Sequence, residues 1–278
     1  MRHIALGLAA AVFALMAGNA FADGMPTRYG PAACCAFSWT GFYFGANVGG
    51  AWQNDDATGF VPATSDMNGA ARALEAAIDN GGVHGSGFMG GLQGGYNVQR
   101  GNIVLGLETD FNWLDLHASR NTGLVTVGGF TGETLDKVSE DWLFTLRPRV
   151  GVTYDRALFY ATGGLAVTQS SFSHRQSWNF ADGCPTAANG QEFCHVGSTS
   201  DTNATWTVGG GLEYALSNTW SVKGEYLYVA TQDLSFTSQN AGFTGQPVIH
   251  SADLGGVNIF RIGINYKFGS DCCAAPLK

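Results

Sequence analysis

The sequence predicts an all-β protein, an eight-stranded antiparallel up-and-down transmembrane β-barrel with short periplasmic turns and long extracellular loops. Three observations lead to this prediction: an N-terminal export signal, eight segments of alternating polarity, and connections that alternate between short and long. Only 13% of the 278 residues are charged and 40 are glycine, while 12% are aromatic, a composition that excludes simple disorder.

The N-terminus has the three parts of a secretory signal peptide. Met1-Arg2-His3 is basic, residues 4–16 are an apolar run too short to span a bilayer, and Ala20-Phe21-Ala22 matches the signal-peptidase pattern. The rest of the chain has no run of roughly 18 uncharged apolar residues, so any membrane crossing must use strands. We therefore predict a signal peptide at 1–22, a periplasmic N-terminal segment at 23–40, the barrel at 41–268 and a periplasmic C-terminal tail at 269–278.

The predicted strands are segments with period-two alternation, each about long enough to be a tilted membrane strand of roughly 9 to 11 residues. In the last segment, Phe260, Ile262 and Ile264 alternate with Arg261 and Gly263. The eight segments lie near residues 41–52, 86–99, 103–114, 139–154, 157–169, 203–216, 219–232 and 257–268.

The links between these segments alternate in length. Short links at 100–102, 155–156 and 217–218 separate long ones at about 53–85, 115–138, 170–202 and 233–256. Outer-membrane barrels have short turns on the periplasmic side and long loops outside. Because the N-terminus enters from the periplasm, the long links are predicted to be extracellular, and an even strand number returns the C-terminus to the periplasm.

The two faces of the predicted strands differ in charge. One face carries apolar residues such as Phe44, Leu107 and Tyr226 and no charge in any segment core. Because Lys or Arg on the lipid face near the bilayer centre costs about 2 to 4 kcal/mol, this apolar face is predicted to face lipid. The other face holds four acids and five bases, which we expect to form a salt-bridged plug. They are Glu108, Asp110, Glu213 and Glu225 with Arg147, Arg149, Lys223, Arg261 and Lys267.

The strand number limits the width of the lumen. An eight-stranded barrel is just wide enough for side chains to fill it, whereas open porins use about 16 to 18 strands. We therefore expect a filled barrel with at most narrow water-lined gaps. Aromatic residues near the segment ends are expected to form girdles at the two membrane interfaces. They are Trp39, Trp52, Trp113, Trp142, Tyr154, Trp206, Trp220 and Phe268.

The first and last strands carry motifs of a known family, WTGFYFGANVG at residues 39–49 and RIGINYKF at residues 261–268. The chain resembles the alphaproteobacterial outer-membrane immunogenic proteins, a porin-like family of small opacity-type barrels. The resemblance covers nearly all of the mature chain and implies an abundant, surface-exposed barrel of the bacterial outer membrane. It also implies insertion by the outer-membrane assembly machinery, which recognises a final strand ending in an aromatic residue. Tyr266 and Phe268 would supply this signal, although residues 269–278 continue beyond it.

Six cysteines in an oxidising compartment predict disulfides. Cys184 and Cys194 lie in one predicted outer loop, where a bond closing roughly 11 residues would add about 3 kcal/mol on the chain-entropy model. A metal site formed by these cysteines with His195 and His174 is the alternative. Because oxidation would remove its sulfur ligands, we predict neither a metal nor a cofactor.

Two vicinal cysteine pairs, Cys34-Cys35 and Cys272-Cys273, flank the barrel on its periplasmic side. A bond between one cysteine of each pair would tie the two termini together. An intermolecular link between two chains is the alternative.

Candidate catalytic residues are sparse. His117 and Ser119 share one strand face near the outer rim, as in barrel lipid A deacylases, but the pattern identifies no acid to orient the histidine. We therefore predict that the protein is not an enzyme. The first long loop is acidic, which disfavours a nucleic-acid partner, and residues 69–79 within it have helical spacing.

The leading functional prediction is a surface-exposed structural barrel and surface antigen, porin-like by family, with a narrow or closed lumen. The alternatives are a lipid A-modifying rim enzyme and an adhesin acting through extracellular loops. The expected partners are outer-membrane lipids and lipopolysaccharide and the assembly machinery, with a host or matrix ligand as the partner in the adhesin alternative.

Overall fold

The computed structural model describes residues 37–62, 69–178, 194–238 and 248–269, and within them the chain forms ten strands and one helix. The elements in chain order are β1 (Gly41–Phe60), α1 (Gly69–Ile78), β2 (Gly81–Arg100), β3 (Ile103–Asn121), β4 (Val125–Val127), β5 (Phe130–Tyr154), β6 (Ala157–Trp178), β7 (Cys194–Ala215), β8 (Trp220–Val229), β9 (Leu234–Ser238) and β10 (Val248–Lys267).

Eight of the strands close into a ring, in the order β1-β2-β3-β5-β6-β7-β8-β10, with β10 pairing back onto β1. All neighbours are antiparallel, and the closing pair runs from Tyr43 opposite Lys267 to Phe60 opposite Ile249. The remaining strands are accessory, since β4 pairs with β5 and β9 with β10. Closure satisfies the backbone hydrogen bonds that lipid cannot satisfy. The predicted eight-stranded antiparallel barrel is thus confirmed.

The strands are longer than the sequence predicts. β5 has 25 residues and β6 has 22, whereas crossing the membrane takes roughly 9 to 11. Much of what was predicted as extracellular loop is therefore strand, including residues 53–60 and 115–121. The predicted strands end too early because, beyond the membrane-crossing part, the apolar residues of the alternating pattern change from the outward face to the inward face.

The outward-facing residues divide the barrel into two parts. In the lower part they are apolar, such as Val48 and Leu105, which are 68% and 58% exposed. In the upper part they are mostly polar, such as Asn54, Asp115 and Ser173. We call the lower part the membrane belt, which comprises residues 41–52, 87–100, 103–113, 142–154, 157–167, 204–216, 220–229 and 257–268. We call the upper part the extension, which comprises residues 53–60, 81–86, 114–121, 130–141, 168–178, 194–203, 234–238 and 248–256.

The interior consists of a polar layer between apolar ones, and their order follows the inward residues of β3. Val104 lies at the periplasmic end, Glu108 and Asp110 follow, then Leu114 in a second apolar layer, and Ala118 in the core of the extension. The core of the extension also contains bulky apolar side chains: Val83, Val138, Phe172, Leu234 and Leu254.

One tryptophan lies in an unexpected place. Trp39 was predicted to join the interfacial girdle, but it is only 4% exposed and packs inside the periplasmic end of the barrel with Val104, Leu158 and Tyr160. Its backbone N–H donates to Gln99 Oε1 at 2.8 Å. The prediction was wrong because Trp39 precedes β1, where strand parity does not apply.

The helix predicted at residues 69–79 is present as α1, and it covers the extracellular end of the barrel. Leu74 and Ile78 pack with Val248 of β10 in a small apolar cluster. The carbonyl of Ile78 at the end of α1 accepts a hydrogen bond from Arg120 Nη2 at 3.1 Å. Among the described residues, no helix has the length and apolar character needed to cross a membrane.

Candidate functional site in the barrel lumen

Eight of the nine charges predicted for the lumen form one connected network inside the membrane belt. Strands β3, β5, β7, β8 and β10 supply them, and alternation directs each side chain inward. All are at most 3% exposed. The eight residues are Glu108, Asp110, Arg147, Arg149, Glu213, Lys223, Glu225 and Arg261.

Glu108 is a central acceptor of the network. Its Oε1 atom lies 2.8 Å from both Arg147 Nη2 and Lys223 Nζ, and its Oε2 lies 3.5 Å from Arg149 Nη1. The hydroxyl of Tyr43 also donates to Oε2 at 2.7 Å. One carboxylate thus contacts donors from three different strands, β1, β5 and β8.

Two arginines connect the acids across the lumen. Arg147 Nη2 lies 2.8 Å from Asp110 Oδ2, and Arg261 Nη2 lies 3.1 Å from the same oxygen. Glu225 then accepts from Arg261 Nε at 2.7 Å. The side chains of both arginines have no solvent-exposed surface. Such buried pairs are costly to break, because removing one partner leaves an uncompensated charge.

Arg149 is held between two tyrosines that were not among the predicted lumen residues. Its guanidinium carbon lies 4.7 Å from the ring centre of Tyr43 and 5.2 Å from that of Tyr160, while Nη1 lies 3.0 Å from Glu213 Oε2. Glycines make room for these rings, because a Cβ on Gly95 would overlap the Tyr43 hydroxyl and one on Gly211 would crowd that of Tyr160. Inward parity alone could have identified both tyrosines.

Lys267 is the ninth predicted charge, and its contacts with Ser38 and Phe37 lie below the network. Its Nζ atom donates to the carbonyl of Ser38 and lies 5.0 Å from the ring centre of Phe37. This lysine thereby joins the end of β10 to the segment that precedes β1. We predicted that Lys267 would join the other eight charges in one plug. Its side chain does point inward, but it lies at the level of the barrel mouth, where it contacts Ser38 and Phe37.

Other predicted residues have different positions. Tyr266 and Phe268, the predicted assembly signal, face outward at the periplasmic end. The disulfide candidates Cys34, Cys35, Cys184, Cys272 and Cys273 lie outside the described residues, as does the side chain of Cys194. The predicted signal peptide and most of the two terminal segments lie outside them too, so these predictions stay predictions.

The rim residues His117 and Ser119 line a groove on the outer wall of the extension, formed by β3, β5, β6 and β7. Asp115 supplies the acid that the sequence pattern did not identify, since its Oδ1 lies 2.8 Å from His117 Nε2. Both side chains are mostly exposed, at 80% and 65%. In the described part of the chain no hydrogen bond joins His117 to Ser119, so the nucleophile contact that acyl transfer requires is not formed.

The comparisons with known proteins agree with this architecture. The family model for the outer membrane protein beta-barrel domain matches residues 8–268. The chain is 33% identical over 276 residues to the 31 kDa outer-membrane immunogenic protein of Brucella melitensis, which covers 96% of this chain and 100% of that protein. It is 26% identical over 189 residues to the 22 kDa outer membrane protein of Rhizobium leguminosarum bv. viciae, covering 66% and 68% of the two chains.

Solved structures of outer-membrane proteins are similar over most of the chain at low sequence identity. OprG from Pseudomonas aeruginosa is 13% identical with a TM-score of 0.42, covering 83% of this chain and 97% of that chain. Ail of Yersinia pestis is 14% identical with a TM-score of 0.31, covering 82% and 99%. On the family match and the Brucella relative, the chain belongs to the outer-membrane β-barrel family that includes the outer-membrane immunogenic proteins, and it is a protein of the bacterial outer membrane.

Proposed function

We propose that this protein is a structural, surface-exposed scaffold of the outer membrane whose lumen is closed to the steady flow of ions and solutes. The observation that carries the proposal is the complete burial of Arg147 and Arg261 at the centre of the membrane belt. An aqueous pore would wet these guanidinium groups. In this barrel each instead contacts carboxylates on neighbouring strands.

The layers on either side of the network support the same proposal. Below it, Trp39 and Leu158 fill the periplasmic end, and above it Met89, Leu143 and Ile259 fill the barrel with apolar side chains. Ions entering from either side would have to cross an apolar layer before reaching the charges. Such layers resist ion entry because apolar side chains cannot replace an ion's water of hydration.

The proposed partners follow from the outer surface. The apolar belt contacts the acyl chains of outer-membrane lipids and lipopolysaccharide, and the assembly machinery inserts the chain. The proposal includes no catalytic activity, because His117 and Ser119 lack the contact that would activate a nucleophile. The family is described as porin-like, but this proposal does not require an open channel.

Single-channel recording in planar bilayers tests the closed lumen. The mature chain is refolded, its heat-modifiability on a gel confirms the folded barrel, and an open 16-stranded porin reconstituted in the same way serves as the positive control. We expect no steady conductance steps from this protein under conditions in which the porin gives them. Steady, reproducible steps from the folded protein would overturn the proposal.

A further inference from the structure

A second group of buried titratable side chains lies where α1 meets the extension, away from the lumen network. Asp79 directly follows α1, His174 lies on β6 and His250 on β10. Each is at most 2% exposed. One potential ligand atom from each residue lies within 4.8 Å of those from the other two. Three parts of the chain that are distant in sequence thus meet at one buried point.

The contacts inside this group are close but leave the polar atoms unsatisfied. His250 Nδ1 lies 3.1 Å from Asp79 Oδ2, and His174 Nε2 lies 3.5 Å from Asp79 Oδ1. None of these four atoms has a well-aligned hydrogen-bond partner in the described residues. An unsatisfied buried polar atom costs roughly 1 to 3 kcal/mol, and such atoms point to an unseen water or ion. A species placed among the four would satisfy them together.

The opposite edge of each imidazole is held by a partner. His174 Nδ1 lies 2.6 Å from Asp136 Oδ1, and Arg120 clamps the other oxygen of Asp136 through Nε at 3.0 Å and Nη2 at 2.6 Å. His250 Nε2 lies 2.7 Å from Ser238 Oγ. Histidines that bind metals commonly have their second ring nitrogen fixed by a carboxylate or another polar group in this way. The partners direct the free nitrogen of each ring toward the common point.

The backbone around the group fits a bound cation. Gly59 of β1 is paired with His250, and a Cβ at Gly59 would overlap the Asp79 carboxylate, so this position accommodates no larger side chain without movement. The carboxylate lies just beyond the C-terminal end of α1, where the helix dipole favours positive charge.

The geometry points to a binding site for a divalent transition-metal ion, with Asp79, His174 and His250 as its protein ligands. Two imidazole nitrogens and one carboxylate oxygen form a donor set that zinc uses in three-ligand sites, with water in the fourth position. Calcium and magnesium prefer oxygen ligands alone. The bound ion would link α1 to β6 and β10 and so fasten the cover of the barrel.

This site differs from the cysteine-containing metal site considered from the sequence. The two share only His174. His195 instead places its Nδ1 2.9 Å from Ser238 Oγ, the hydroxyl that also lies 2.7 Å from His250 Nε2. The separation in sequence between Asp79, His174 and His250 explains why spacing could not reveal the group.

Zinc binding to the whole mature chain tests the inference. The protein carries no polyhistidine tag, is folded in detergent, is stripped with a chelator, and is then equilibrated with zinc chloride for measurement of stoichiometry and Kd. We expect one equivalent per chain, and cobalt chloride should give the visible absorption of a four-coordinate nitrogen and oxygen site. Failure of the wild-type chain to bind zinc or cobalt would overturn the inference.

Variants locate the bound ion. D79N and H250Q should weaken zinc binding by more than about 100-fold, and D136N, which removes the charge behind His174, by about 10- to 100-fold. H117A is the matched control, because His117 pairs with Asp115 at 2.8 Å on the exposed surface and should not contribute. A heat-modifiability gel shows that each variant is folded. Unchanged binding in folded D79N and H250Q, or loss of binding in a C184S/C194S double variant, would contradict the assignment.

Discussion

Seven strands run through both the membrane belt and the extension, yet the two faces of these strands have opposite polarity in the two parts. In the belt, Leu107 faces outward while its neighbour Glu108 is buried. In the extension, His117 faces outward while Ala118 joins an apolar core. Both pairs lie on β3, ten residues apart, and the alternation between them is unbroken. The surrounding medium, lipid in one case and water in the other, decides which type of residue each face carries.

The two parts are therefore stabilised in different ways. The extension gains from the hydrophobic effect, because its apolar side chains leave water when the barrel closes. The belt gains less from apolar burial, since its outer face stays in contact with lipid, and its interior depends on complete pairing of buried charges. Substitutions of the same chemical type should consequently have different effects in the two parts.

The largest expected effect comes from removing one charge of the lumen network. R147M keeps most of the side-chain volume but leaves Glu108, Asp110 and Glu225 without one of their partners, which should cost about 3 to 5 kcal/mol of unfolding free energy. Urea unfolding in lipid vesicles, followed by tryptophan fluorescence, measures the change. R175L, at an exposed arginine of the extension, is the control and should change stability little. Equal effects of the two variants would mean that the network does not stabilise the belt.

A smaller effect is expected from placing a charge on the outer wall. L107R puts a guanidinium on the lipid face near the centre of the belt and should cost about 2 to 4 kcal/mol. T58R makes the same type of change on the exposed face of the extension, where the cost should stay within about 0.5 kcal/mol. The same unfolding assay compares them. If T58R were as damaging as L107R, the boundary between belt and extension would be misplaced.

The smallest expected effect concerns pH and the interior of the extension. Burial raises the pKa of Asp55 to about 6, although Gln53 Nε2 and the Gly255 N–H donate to its Oδ1. The folded state therefore prefers the protonated acid. The stabilisation from burying protonated Asp55 is complete below about pH 4, which is close to the pKa of aspartate in an unfolded chain. It is lost as the pH rises to about 6.

D55N tests this dependence, because asparagine keeps the accepting Oδ1 atom and cannot ionise. We expect D55N to be more stable than the wild-type chain by about 1 to 2 kcal/mol at pH 7.5 and nearly equal to it at pH 4. D56N, at the adjacent outward-facing carboxylate, is the control and should show no such difference. A D55N variant that is less stable at both pH values would show that the ionised carboxylate is favoured in the folded state.

Alternation and charge were enough to predict the belt. Because lipid excludes charge from one face, the positions of Glu108, Arg147 and Arg261 could be assigned from parity, and the structure brings them into contact. The turns at residues 101–102 and 155–156 also follow from short polar links, one with Gly101 and one with Asp155 at positive φ. These features depend on neighbours in sequence or on a uniform environment.

The features that escaped prediction depend on contacts between distant residues. The extension was missed because an outward polar residue beside an inward apolar one has the same pattern as a loop with scattered apolar residues. β5 also has a bulge, where Glu140 faces inward and both Asp141 and Trp142 avoid the core. Asp79 lies close to His174 and His250 only because α1 crosses the end of the barrel. No local sequence pattern predicts where α1 lies.

The wall of the extension has a consequence for immune recognition. Its outer groove is lined by residues from four neighbouring strands, among them His117, Lys137, Ser173 and Ser198. An antibody covers roughly 800 Å² on its target, an area wider than one strand. The epitopes on this wall would therefore be discontinuous, and unfolding the barrel would separate their parts. Antibodies against this wall would bind the folded protein yet fail to bind peptides copied from a single strand.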